Sequence, residues 1–293
     1  MAFREKETRV LIGAAMTKRY DEAYWRSITI TADDMFKTVL SDPAVCVPFL
    51  ETVLDLQIER IELIHSEHVL STPEDVRSLR LDVYVKDEVG MVYNIEMQTT
   101  DKKNLPKRAR HHQARLAFDA LGRGEDFNSL PPTFVIFVCS FDPSDRGLPV
   151  YRFENRCEAA DGMRLEDGAV TMFACAPNHA EATRPGLASL LRYFDDGTVS
   201  DGLSSKMQEE VVRWRNEPHW RSRHMLVAER MEEERQQGFA EGRQEGRQEG
   251  RQELSDALAA LARQDPDAVV ELLRLPLEEQ ELRLRQLGYL PEE

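Results

Sequence analysis

The chain has 293 residues, 41% of them hydrophobic, with 38 Lys and Arg against 53 Asp and Glu and a formal net charge of -15. That apolar content can build a sizeable core and excludes disorder throughout, while the length fits one large domain or two smaller ones. The sign of the charge excludes a wholly basic nucleic-acid coat protein, but leaves a local basic cleft open.

Residues 1–27 are polar and mixed, and read as an irregular lead-in or a short helix. The N-terminus, Met-Ala-Phe-Arg-Glu-Lys-Glu, is charged and lacks an apolar h-region, so no secretory signal is expected. Thr31 offers a helix N-cap, with Asp33 and Asp34 in the first turn. Phe36, Val39 and Leu40 follow at helical spacing, and Phe49, Leu50, Val53 and Leu54 repeat it beyond Pro43 and Pro48. A strand is expected within 56–70, then a loop over 71–78. The four cysteines, Cys46, Cys139, Cys157 and Cys175, lie far apart with no CxxC pair. They read as free thiols of a reducing compartment rather than a zinc site or a disulfide framework.

Residues 80–86 alternate, with Leu81, Val83 and Val85 on one face and Asp82, Tyr84 and Lys86 on the other. Asp87-Glu88-Val89-Gly90 is a turn signal, with Gly90 suited to a left-handed position. Residues 92–98 alternate again, setting Tyr93, Ile95 and Met97 against Asn94, Glu96 and Gln98. A β-hairpin follows. A three-residue loop places Asp82 opposite Glu96; a four-residue loop shifts the pairing by one and buries carboxylates among Leu and Val, so the hydrophobic register favours the first.

One hairpin face then carries Asp82, Glu96 and Gln98. Two oxygen ligands on rigid adjacent strands suit Mg²⁺, with water and a substrate phosphate completing the shell, and Gln98 is placed to orient a water. A polar hairpin face is also what a solvated sheet shows without any function. Like charges directly opposite each other ask for a cation, which Arg80 or Lys86 could supply instead of a metal.

Residues 101–115, DKKNLPKRARHHQAR, hold six basic residues and one acid. A helix is expected through Leu116, Phe118 and Leu121, with His111 and His112 contacting phosphate or solvent. Residues 133–140 form an apolar strand of the kind buried on both faces. Their longest strongly apolar run, 134–138, is far too short to cross a membrane, so a cytoplasmic protein with no membrane partner is expected. Further strands are expected near 151–153 and 169–174, and amphipathic helices over 185–228. Strands interleaved with helices argue for an α/β domain.

At this point a family resemblance emerges. Asp82 in RLDVYVKDEVG, followed by YNIEMQ with Glu96 and Gln98, resembles the core of the PD-(D/E)XK nuclease superfamily. More narrowly it resembles the Rpn family of recombination-promoting nucleases, also described as PD-(D/E)XK nuclease family transposases. TADDMFKTVL resembles that family's N-terminal motif, here Asp33, Phe36 and Lys37. RARHHQARL, with Arg110 and Gln113, resembles its Arg-aromatic-aromatic-Gln helix, although His111 and His112 replace the usual tyrosines. GEDFNSLPPTFVIFV and the glycine–arginine–glutamate tail also agree. The likeness runs in order over roughly 30–175, plus the tail.

The resemblance implies a restriction-endonuclease-like α/β (α+β) core, a mixed central sheet flanked by helices, with a helical C-terminal extension. The expected divisions are a lead-in (1–27), a nuclease-like domain (28–182), a helical extension (183–228) and a charged helical tail (229–293). It implies DNA phosphodiester hydrolysis, with Asp82 and Glu96 holding Mg²⁺ or Mn²⁺, and with Asp33 as a further acidic candidate or simply a helix-start charge. The wider superfamily has a lysine two positions after the second acid. Here Gln98 stands there, as is usual in the Rpn-like group, and glutamine supplies no positive charge.

Lys102, Lys103, Lys107, Arg108 and Arg110 are expected to steer a DNA backbone toward Asp82 and Glu96. Residues 229–293 carry 17 acidic and 9 basic residues, a net of -8, and contain EGRQ three times at 241–252. Like charges four apart and glycines in the helix make a lone helix marginal there, so the tail is expected to form a homo-oligomer, dock on a partner or remain a frayed linker. The leading expectation is a metal-dependent DNA endonuclease of a recombination or mobile-element system. The alternatives are a catalytically weak or inactive binding module on the same fold, and an RNA-directed nuclease.

Overall fold

The computed structural model describes residues 20–70, 79–122 and 124–291. The chain divides into two compact units, Met1–Arg221 and Ser222–Glu293. In the first, α1 (Glu22–Ser27), α2 (Asp33–Leu40) and α3 (Pro43–Leu54) precede β1 (Ile61–Leu70), β2 (Leu79–Asp87) and β3 (Val92–Gln98). Then come α4 (Leu105–Ala120), β4 (Thr133–Cys139), β5 (Val150–Phe153), β6 (Ala169–Cys175), α5 (Pro185–Asp196) and α6 (Gly202–Arg215). The expected loop at 71–78 and most of the expected lead-in lie outside the described residues.

The six strands form one mixed sheet in the order β1-β2-β3-β4-β6-β5. Strands β1, β2 and β3 are antiparallel neighbours, while β4 pairs parallel with both β3 and β6. A parallel β3–β4 pair requires a crossover, and α4 provides it. Strand β4 is buried along its whole length, as its unbroken apolar sequence requires. The helix opening at Asp33 has Ala32 rather than Thr31 as its N-cap; the Thr31 hydroxyl instead bonds the Thr29 hydroxyl at 2.8 Å.

The hairpin has the short-loop register. Val83 faces Ile95, Tyr84 faces Asn94 and Lys86 faces Val92. The Asp87 N–H donates to Met91 O at 3.1 Å, leaving Glu88, Val89 and Gly90 as the loop. Gly90 has φ +88°, a left-handed conformation that matches the twist of the two strands. Asp87 locks the turn through its carboxylate, which accepts from the N–H groups of Val89 and Met91 and from the Tyr93 hydroxyl.

Helix α4 covers the face of β3 that carries Asn94, Glu96 and Gln98. Leu105, Ala109 and Leu116 pack there with Val92, Val135, Phe137 and Phe173. Gln113 ties the helix down, donating to Val170 O at 2.8 Å and accepting from the Thr133 hydroxyl at 2.5 Å. The polar hairpin face is therefore roofed by a helix rather than solvated. Cys46, Cys139 and Cys175 are buried free thiols, and Cys157 is an exposed one.

The EGRQ repeats lie within one helix, α7 (Pro218–Gln264), and are exposed throughout. Helix on both sides sustains it through three glycines, because propagation needs no new nucleus. Beyond the repeats the second unit has a core that the net charge of the tail conceals. Ala257 and Leu261 of α7 pack with Leu272 of α8 (Pro266–Leu272) and Leu284 of α9 (Leu277–Gln286). No helix of the described residues is long and apolar enough to cross a membrane.

Gly90→Ala should cost about 1 kcal/mol, the penalty of a Cβ in the left-handed region. Urea denaturation of the full chain checks this; an unchanged midpoint would show that the turn tolerates a side chain.

Candidate active site

The β2–β3 ladder runs only as far as Val83–Ile95. Beyond it, the two carboxylates take up backbone donors. The Asp82 N–H donates to Glu96 Oε1 at 3.2 Å, and the Met97 N–H donates to Asp82 Oδ2 at 3.2 Å. Each acid is thus fixed to the other's strand. The Glu96 side chain is 3% exposed and that of Asp82 13%.

Burial and proximity act together on this pair. Burial raises the Glu96 pKa first and the Asp82 charge raises it further, to about 8. Asp82 is also raised by burial, although Lys37 opposes the shift. Two carboxylates that resist joint ionisation form a site with a cation deficit.

Three further groups converge on the pair. Lys37 on α2 brings Nζ to 3.3 Å from Asp82 Oδ1 and 2.6 Å from Asp33 Oδ2. Burial works against its charge, but Asp82 and Asp33 more than offset that and raise its pKa. Arg108 on α4 places Nη2 3.5 Å from Glu96 Oε2 and donates through Nη1 to Gln98 Oε1. His112, one turn along α4, accepts from or donates to the Asn94 amide at 2.8 Å and lies 3.6 Å from Glu96 Oε1. Burial, with Arg108 and His111, pushes its pKa down to about 4. The ring is neutral at pH 7, so its approach to Glu96 is not an ion pair, and Asn94 Nδ2 donating to Nδ1 is the consistent assignment.

The structure thus brings Asp82, Glu96 and Gln98 together, as the hairpin pattern anticipates. Asp33 stays at the edge, 55% exposed, and reaches Asp82 through Lys37. The basic residues divide. Arg108 turns inward to the site, whereas Lys102, Lys103, Lys107 and Arg110 are exposed. Lys103 pairs with Asp101 at 2.6 Å. Arg110 faces a different flank of α4, lining a groove of about 480 Å³ with Gln113, Phe153 and Phe173. His112 is a buried member of the site and does not meet solvent. Sequence could have placed it: Leu105, Ala109, His112 and Leu116 share one helical stripe. Lys37 and Arg108 carry no such signal, because only the tertiary fold brings them to β2 and β3.

A second cavity of about 380 Å³ opens at the ends of β3 and β4, lined by Thr31, Thr99, Ser140 and Arg215. The carboxylates themselves do not line it. Thr99 follows Gln98 in the chain, and the Ser140 N–H donates to Gln98 O at 3.0 Å.

This arrangement of an acid on each strand of a hairpin, beside a βαβ crossover, coincides with a family match. Residues 31–157 match the model described as PD-(D/E)XK nuclease family transposase. The segment that carries the site is thus similar to that family. No curated protein and no solved structure matches the chain. The matched nuclease-family segment holds Lys37, Asp82, Glu96, Gln98, Arg108 and His112 together.

PD-(D/E)XK nucleases generally use divalent metal ions. Among the described residues, no cluster of three or more His, Cys, Asp or Glu forms a ready-made cage. Two carboxylates are nevertheless enough for a Mg²⁺ site, which keeps water and substrate oxygen in its shell. The pKa of Glu96 is raised by burial first and by the Asp82 charge second, and a bound cation would oppose both. Asn94 Oδ1, on the same strand face, is a buried acceptor with no hydrogen-bond partner, as in a site that needs a further occupant. The residues fit.

The shifts set a pH dependence. A carboxyl whose folded pKa is raised takes up a proton more readily in the folded state. Its contribution to stability is complete below the unfolded value of about 4.3 and is lost as pH rises toward 8. In metal-free buffer, wild type should lose melting temperature relative to Glu96→Gln between pH 5 and pH 8. A constant gap between the two curves would mean that Glu96 titrates normally.

Proposed function

We propose that this chain is a divalent-metal-dependent nuclease that hydrolyses DNA phosphodiester bonds at Asp82 and Glu96. The observation that carries the reading is the cross-braced pair of carboxylates, Glu96 buried and Asp82 mostly so, each anchored by the other strand's backbone. Asp82 and Glu96 would hold the ion. When bound, it polarises the phosphoryl oxygen and lowers the pKa of a bound water.

The chain's own side chains do the rest. Arg108 fixes Gln98 and lies beside Glu96, so the strand end keeps one geometry. His112, neutral and buried, supports Asn94 next to Glu96 without adding charge. Helix α4 and Phe137 exclude water from behind the carboxylates. The exposed Lys102, Lys107 and Arg110 supply the local positive field for a phosphate backbone, which the overall charge of -15 does not. The transposase in the family description favours a role with a mobile element; a part in recombination, a cytoplasmic setting and self-association through the EGRQ helix belong to the same proposal.

One observation favours a second reading. Lys37 and Arg108 already lie against the carboxylates, and Gln98 is bonded at both ends. A binding module on a decayed nuclease fold would look similar. Cleavage of supercoiled DNA with Mg²⁺ or Mn²⁺ separates the two. The nuclease reading expects nicking by wild type and none by Asp82→Asn or Glu96→Gln. DNA binding without cleavage in either metal would establish the module.

The basic residues make a separate prediction. Replacing Lys102, Lys107 and Arg110 by Ala together should weaken DNA binding and reduce the slope of log affinity against log salt by up to about 2.7, at about 0.9 per lost phosphate contact. An unchanged slope would remove those side chains from the interface.

A further inference from the structure

The superfamily pattern places a lysine two residues after the second acid, and this chain has Gln98 there. The Gln98 carboxamide is committed. Arg108 donates to its Oε1, and its Nε2 donates to Met97 O at 2.7 Å. It brings no positive charge to the reacting phosphate.

A buried ammonium nevertheless stands at the carboxylate pair. Lys37 is 7% exposed at its side chain, and its Nζ meets the Asp82 oxygen that the Met97 N–H does not occupy. Its helix is held firmly. Phe36 packs on Phe194 with ring centroids 6.0 Å apart, Met35, Val39 and Leu40 are fully buried, and Trp220 Nε1 donates to the Thr38 hydroxyl at 3.1 Å. Asp33, one turn earlier, steadies the ammonium from the outer side at 2.6 Å. Arg108, the other cation of the site, already braces Gln98.

We propose that Lys37 is a catalytic residue, supplying from helix α2 the positive charge on the scissile phosphate that Gln98 cannot supply from β3. The proposal rests on the nuclease reading above. Held between the carboxylates of Asp82 and Asp33, Lys37 acts by charge and hydrogen-bond donation. A fixed charge at the developing phosphorane oxygens costs no reorganisation during the reaction. It also gives Asp33 a role: a positioning residue that holds the ammonium.

The test uses the full chain, labelled duplex DNA and Mn²⁺. Lys37→Met should lower kcat roughly a hundredfold or more, the range for losing one preorganised electrostatic contact, with KM changed far less. Mn²⁺ binding by calorimetry should persist in this variant. Adding Gln98→Lys to Lys37→Met returns a lysine to the strand position and should restore part of the lost rate, which a purely structural Lys37 would not allow. Lys37→Met cleaving like wild type overturns the proposal. If Lys37→Met melts early, the double variant decides: a folded double variant without recovery also overturns it. Inactive Asp82→Asn beside active Lys37→Met sinks this inference alone, whereas wild type no better than Asp82→Asn sinks the nuclease reading as well.

Discussion

Strand β3 is buried on both faces and still carries Asn94, Glu96 and Gln98 on one of them. Three polar side chains under a helix are costly unless each finds partners. The first unit is arranged around meeting that demand. Asn94 is matched by His112, Gln98 by Arg108, and Glu96 by the Asp82 backbone with Arg108 nearby. Helix α4 must therefore dock in one register, and Gln113 fixes it from the far side through Thr133 and Val170. What remains unmet is Asn94 Oδ1 and the charge of the acid pair, and the proposed chemistry rests on that deficit.

On the proposed function, local charge rather than net charge would let so acidic a chain meet a polyanion. Much of the excess acidity lies in residues 229–293, and two further acids are largely withdrawn from solvent at the site. Around them the fold gathers Lys37 and Arg108 from different helices, while Lys102, Lys107 and Arg110 stay exposed. Net charge governs non-specific attraction; the order of charges along a cleft governs how a phosphate is held once there.

The hairpin could be read from the sequence because three independent signals agree: alternation on each strand, the left-handed demand at Gly90 and the cost of burying carboxylates by a slipped register. That agreement placed Asp82 beside Glu96. The covering of their face could not be read from the hairpin, since alternation does not say whether a polar face meets water or a helix. Lys37 lies in a quoted motif, yet nothing local links it to Asp82, 45 positions later. Arg108 reads as one basic residue among several until α4 docks. His112 was legible from helical spacing, but the charge around it points to solvent. In the second unit, Leu261, Leu272 and Leu284 are diluted by charged neighbours, and their packing emerges only in three dimensions.

The central claim is that Asp82 and Glu96 form a proton-holding cation site. Calorimetry of Mn²⁺ binding at pH 7, repeated in buffers of different ionisation enthalpy, tests it most directly. An ion that displaces the proton held by the pair should release about one proton per ion bound, and Glu96→Gln should abolish that release. Mn²⁺ binding with no proton release, or no saturable binding in wild type, would contradict the account.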